Sequence, residues 1–164
     1  MISNLKNFNN ILLKSLLLSN PINSSSIYAA LKTYNGTDWT RIIFEQPNKY
    51  EKMSENILLT HTKPVYDIRS SIKIKNNNCY FAKLIKWYPN YDGHFHSHYG
   101  FNCYFKVLSG TIVETVKTEN NIIEKNHSEN AISYIHDSIG EHKITNNSNE
   151  NAYSIHIYYK NNNS

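Results

Sequence analysis

The sequence predicts a mainly β protein, a barrel or sandwich of many short strands, preceded by a short helical layer. Two observations carry this. From about Val65 onward, short runs rich in β-branched and aromatic residues alternate with turn residues at near-regular spacing. Before that, from Leu5 to about Tyr34, apolar residues recur at helical spacing, as in Leu12, Leu13, Leu16 and Leu17. The 164 residues fit one domain, and a hydrophobic fraction of 40% is enough for a packed core. The expectation is a single domain over 1–164. Residues 1–45 would form its helical part, 65–160 its barrel and 161–164 a disordered tail.

The elements follow in order. "NPINSSS" breaks the first helical pattern, and its serines can cap a second helix around Ile27 to Thr33. "YNGTDWTRIIF" reads as a turn followed by a short helix or an extended segment. The expected strands are Ser71–Lys75, Cys79–Trp87, Phe95–Tyr99, Cys103–Leu108, Thr111–Thr118, Ile122–Lys125, Ala131–Ile135, His142–Thr145 and Ala152–Tyr159. Ser109–Gly110 reads as a hairpin turn. Asn76 to Asn78, Asn146 to Asn151 and Asn161 to Asn163 read as loops or tail.

Composition narrows the function classes. The net charge of +4 is spread along the chain without a basic run, so neither nucleic-acid nor membrane binding is expected. The apolar run from Ile11 to Leu18 is interrupted by Lys14 and is too short to span a bilayer. Two cysteines, Cys79 and Cys103, are too few for a disulfide scaffold. These features fit a cytoplasmic protein, with Cys79 in the core.

Chemistry concentrates between Gly93 and Gly110, "GHFHSHYGFNCYFKVLSG". On a strand, His94, His96 and His98 would share one face, and imidazoles at i and i+2 can reach one metal ion. Cys103 follows His98 after four residues, and Gly110 follows Cys103 after six. This spacing resembles the first signature of the cupin barrels, in which Glu stands where this chain has Cys103. It selects His96 and His98 and leaves His94 as a supporting or surface residue. "YIHDSIGEHKITN" resembles the second cupin signature through Gly140, His142 and Asn146, making His142 a third ligand. A jelly-roll type barrel would bring the two segments face to face. Without a carboxylate, three neutral imidazoles leave the full charge of a divalent ion in place, which suits an anionic ligand such as a thiolate.

Three further stretches are similar to the cysteine dioxygenases, iron-dependent cupins that oxidise thiols: "CYFKVLSGTIVETV", "AISYIHDSIGEHKITN" and "YSIHIYY". A weaker similarity, "ALKTYNGTDW", extends toward the N-terminus. The resemblance implies one Fe(2+) per chain, held by His96, His98 and His142. It implies that Cys103 and Tyr158 can join in a thioether cross-link. Ser154, His156 and Tyr158 would complete the catalytic set as a hydrogen-bond relay, Arg69 would pair with the substrate carboxylate, and Trp87 would support the pocket. The substrates implied are L-cysteine and O2, the product cysteine sulfinic acid, and the protein a monomer. Two departures from the family stand out: Asp67 lies where a Tyr is usual, and Tyr159–Lys160 replaces a Ser-Pro-Pro continuation.

Alternatives stay open on the residues alone. Cys103 taken alone reads first as a buried core cysteine, and the spacing reverses that order. Ser154, His156 and Tyr158 read equally as the solvent face of an edge strand. Arg69 reads equally as a surface ion-pair residue. The thiol could be 3-mercaptopropionate, the metal could be zinc, manganese or nickel in another cupin enzyme, or the domain could be a non-catalytic binding module. His61, His127 and His136 have no partner that the sequence names.

Overall fold

The structure is a computed structural model that describes residues 23–36, 70–73 and 79–160, with backbone alone for 70–73 and 79–82. The expected first helix, the segment after Gly36, Arg69 and the tail over 161–164 lie outside the described residues. The chain divides into two compact units, Met1–Val65 and Tyr66–Ser164.

In the first unit, helix α1 spans Ser24–Thr33 and buries Ile27, Ala30 and Leu31 along one stripe. Its N-cap is Asn23 rather than a serine. The Asn23 side chain accepts from the Ser26 N–H at 3.0 Å, and Ser26 Oγ accepts from the Asn23 N–H at 2.9 Å. This reciprocal capping box fixes the start, so the serines fill the first turn. Among the described residues, no helix is long and apolar enough to cross a membrane.

The second unit is the expected mainly β architecture. Its strands are β1 (Ser70–Lys73), β2 (Cys79–Trp87), β3 (Tyr91–Asp92), β4 (Asn102–Ser109) and β5 (Ile112–Lys117), followed by β6 (Ile122–His127), β7 (Ile132–Ile135), β8 (Glu141–Asn146) and β9 (Ala152–Lys160). They form two antiparallel sheets, ordered β1-β2-β9-β4-β7 and β3-β8-β5-β6. β4 pairs with β9 in one sheet while β5 pairs with β8 in the other. Such nested pairing, shared between two facing sheets, is the jelly-roll arrangement. Side chains from both sheets meet between them: Trp87, Phe105, Val107 and Ala152 from the first, Ile112 and Ile144 from the second.

Two expectations need correction. Ser109–Gly110 is not a hairpin, because β4 and β5 belong to different sheets. The chain turns a corner there. Gly110 has φ +78, and a Cβ on it would lie 2.9 Å from the Ala152 Cα, so close approach to β9 is what requires glycine. The segment Phe95–Tyr99 is not a strand. It makes one isolated bridge, His96 with His142, and then turns at Tyr99 and Gly100, whose φ values are 53 and 77. Period-2 chemistry alone does not extend a strand when the backbone donors are taken elsewhere. Here Asp137 takes the N–H of both His98 and Gly100, each at 2.6 Å. β3 is an additional short strand, paired with the end of β8.

β9 is not an edge strand. It lies between β2 and β4 and is buried on both faces. Cross-strand neighbours share a face, so the register places Lys83 and Phe105 beside His156, and Cys103 beside Tyr158. Trp87 donates to Ser154, which confirms that this face looks between the sheets.

Candidate metal centre

His96, His98 and His142 come together. Their donor nitrogens all lie within 4.8 Å of one another, and their ring centroids are 4.7–5.2 Å apart. Backbone bonding makes this meeting possible. The His96 N–H donates to the His142 carbonyl at 3.0 Å, and the His142 N–H returns a bond to the His96 carbonyl at 3.2 Å. Asp137, from the turn before β8, holds the backbone around His98. The two sequence motifs are thus tied together by main-chain groups and one carboxylate.

The tautomers follow from the partners. His96 Nδ1 lies 3.1 Å from the His94 carbonyl, which can only accept, so Nδ1 carries the proton. His142 Nδ1 lies 2.8 Å from Glu114 Oε1 and donates to that carboxylate. Each ring keeps Nε2 as a lone-pair donor for a metal. His94 contributes through its backbone, as a supporting residue. Both ring nitrogens of His98 are buried and have no hydrogen-bond partner among the described residues. Leaving a buried polar atom unsatisfied costs about 1–3 kcal/mol. Coordination of an ion through one of these nitrogens relieves part of that cost, so the residues present fit a metal.

Burial lowers the His98 pKa to about 4, helped by His142 and His96 beside it. Burial also lowers that of His96, the bond to the His94 carbonyl opposing it, with His142 and Lys83 adding to the fall. Both rings are therefore neutral at pH 7, the state in which imidazole binds metal. A stability consequence follows. The unfolded chain takes up protons on these rings near the ordinary value of 6.5, before the folded chain does. Stability of the metal-free protein is therefore full above about 6.5 and falls as pH drops toward about 4. Melting temperatures of metal-free protein measured between these limits should decline steadily; a flat profile would mean that the rings are not held neutral.

Facing this set from the other sheet are Cys103, Ser154, His156, Tyr158 and Trp87. Cys103 is fully buried, with Sγ 3.8 Å from His156 Nδ1. Burial pushes its thiol pKa far up, against the lowering effect of a hydrogen bond with Tyr158. Cys103 is thus a neutral thiol, outside the three-histidine cluster. Ser154 Oγ lies 2.8 Å from His156 Nε2 and accepts from Trp87 Nε1–H at 2.8 Å. The indole can only donate, so a self-consistent order runs from Trp87 through Ser154 and His156 to Cys103. Burial, with His142 and Lys83 nearby, holds His156 well below its ordinary pKa, which keeps this order neutral. The Tyr158 ring stacks on His98 at 5.8 Å and on His156 at 6.2 Å.

Sequence reasoning missed five contributors, among them Asp137 described above. Lys83 is half-buried, its Nζ 5.2 Å over the Tyr158 ring, and its charge acts on His96, Cys103 and His156. Glu114, His127 and Ser133 form a buried polar group behind His142. One signal was available: Glu114 interrupts inward positions otherwise held by Ile112 and Val116.

A double-sheet jelly roll with three imidazoles converging between its sheets defines a metal-binding cupin. The family model for cysteine dioxygenase type I matches residues 66–163, and the chain belongs to that family. It is 26% identical over 158 residues to cysteine dioxygenase type 1 of Rattus norvegicus, covering 90% of this chain and 70% of that protein. The Danio rerio protein of the same name is 25% identical over 158 residues, covering 89% and 70%. Among solved structures, the cupin domain of Schizosaccharomyces pombe Cnp3 matches with TM-score 0.46 and 13% identity, covering 57% of this chain and 60% of that one. A Klebsiella pneumoniae protein with a double-stranded β-helix domain matches with TM-score 0.46 and 15% identity, covering 66% and 89%.

Proposed function

We propose that this protein is an iron-dependent dioxygenase that oxidises the thiol of L-cysteine to cysteine sulfinic acid. The observation that carries the reading is the all-imidazole set of His96, His98 and His142, facing the Cys103–Tyr158 pair. Family membership supports an oxidoreductase acting on a thiol. The overall change is RSH + O2 → RSO2H. Sulfur loses four electrons, dioxygen gains four, and both oxygen atoms end on sulfur. Ferrous iron held by these histidines would supply a site for the thiolate and the dioxygen activation that redox-inert zinc lacks.

The chain's own residues bind, orient and exclude water. The three neutral imidazoles leave the positive charge of the ion for the substrate thiolate. Lys83 adds to the positive field of the pocket, which favours an anionic substrate. Arg69, outside the described residues, would take the substrate carboxylate in a bidentate pair. Trp87, Ser154 and His156 hold one another in place beside Tyr158, whose hydroxyl would orient the reacting groups. Cys103 and Tyr158 are direct cross-strand neighbours, which supports a thioether between Sγ and the tyrosine ring. That bond replaces one S–H and one ring C–H, releasing two electrons and two protons to dioxygen.

Oxygen consumption by iron-loaded protein, with products identified by mass, tests the substrate. L-cysteine should sustain uptake and yield its sulfinate, and cysteamine, which lacks the carboxylate, should be poor. Uptake with 3-mercaptopropionate alone would move the substrate within the same chemistry. Iron-loaded protein inert toward all three thiols would overturn the reading in favour of a binding module.

A further inference from the structure

The side chain of Glu114 is 1% exposed, on the inward face of β5, and its two oxygens receive three hydrogen bonds. Oε1 accepts from His142 Nδ1–H at 2.8 Å, and Oε2 accepts from His127 Nε2–H at 2.9 Å and from Ser133 Oγ–H at 2.8 Å. The donors come from β8, β6 and β7, and β7 belongs to the opposite sheet. Burial alone would raise the carboxyl pKa. The bonds from His127, His142 and Ser133 outweigh it together and hold the group well below the usual carboxylate range. His127 is itself fixed, with the Phe105 ring edge-on at 5.3 Å.

We infer that Glu114, locked by His127 and Ser133, is a positioning residue that sets the proton and ring plane of His142 for metal binding. Resting on the metal reading above, the inference adds a second tier to it. A carboxylate cannot donate, so contact with Glu114 forces the proton of His142 onto Nδ1 and leaves Nε2 for the ion. The negative charge strengthens that nitrogen as a donor. His127 and Ser133 stop the carboxylate from rotating, so His142 is held before any ion arrives. A carboxylate that only tied the two sheets together would affect stability and leave metal affinity alone.

The test measures Co(II) affinity by competition with a chromophoric chelator, together with the visible ligand-field bands of the Co(II) protein. Glu114→Gln should weaken binding about 10–100-fold and shift the bands. Ser133→Ala, which leaves the Glu114–His142 bond in place, should fold and weaken binding by a smaller factor. Should Glu114→Gln not fold, Ser133→Ala and His127→Gln decide: weakened binding in either supports the role. Wild-type affinity and bands in the folded variants would overturn it. No Co(II) binding by the wild type would overturn the metal reading itself, and this inference with it.

Discussion

His98→Ala should abolish stoichiometric metal binding while the protein stays folded. Loss of a ligand should weaken affinity by more than the factor of about 10–100 that loss of a supporting residue costs. His98 is the cleanest of the three clustered histidines to remove. Both its ring nitrogens lack partners among the described residues, so the substitution strands no donor or acceptor. The remaining loss is ring packing, against His142, His96 and Tyr158 at 4.8, 5.2 and 5.8 Å. His142→Ala is different. It strips one of three donors from buried Glu114 and should cost about 1–3 kcal/mol of stability as well as the metal. Metal content and thermal melting, measured side by side, separate the two effects. Retained stoichiometric metal in His98→Ala would remove that residue from the site.

Gly140→Ala should destabilise the fold more than any other single-methyl change at the turn before β8. A Cβ at position 140 would lie 2.2 Å from the Lys117 carbonyl oxygen and 3.3 Å from the Thr118 Cα. These are backbone atoms at the end of β5, so no side chain can swing aside. The φ of +147 adds strain for any L side chain. Steric and conformational costs of about 1–3 kcal/mol each give a combined loss of about 2–6 kcal/mol. His142 lies two residues on, so metal affinity should fall with stability. The midpoint of urea unfolding measures this; a wild-type midpoint would mean that the turn can relax.

Much of the second unit was legible because its strands follow period-2 patterning with turns between them. The three-histidine cluster was legible because two signatures of fixed spacing bracket it. What misled was local. "HFHSHYG" alternates like a strand, yet Asp137, nearly forty residues later, captures its backbone donors. Ser109–Gly110 has hairpin chemistry, yet Gly110 serves close approach to Ala152 at a corner between sheets. Glu114, His127 and Ser133 were invisible as a group, because only the folded topology brings β5, β6 and β7 to one point. Conversely, Ser154, His156 and Tyr158 could have faced either way. The register of β9 between β2 and β4 decided it.

The most direct measurement is turnover of L-cysteine by iron-loaded protein under 18O2, with mass analysis of the product. Two heavy oxygen atoms in the sulfinate, formed by the wild type and absent with His98→Ala, is the expected result. A product carrying one labelled atom or none, or cysteine consumption unaffected by loss of His98, would contradict a dioxygenase centred on these three histidines.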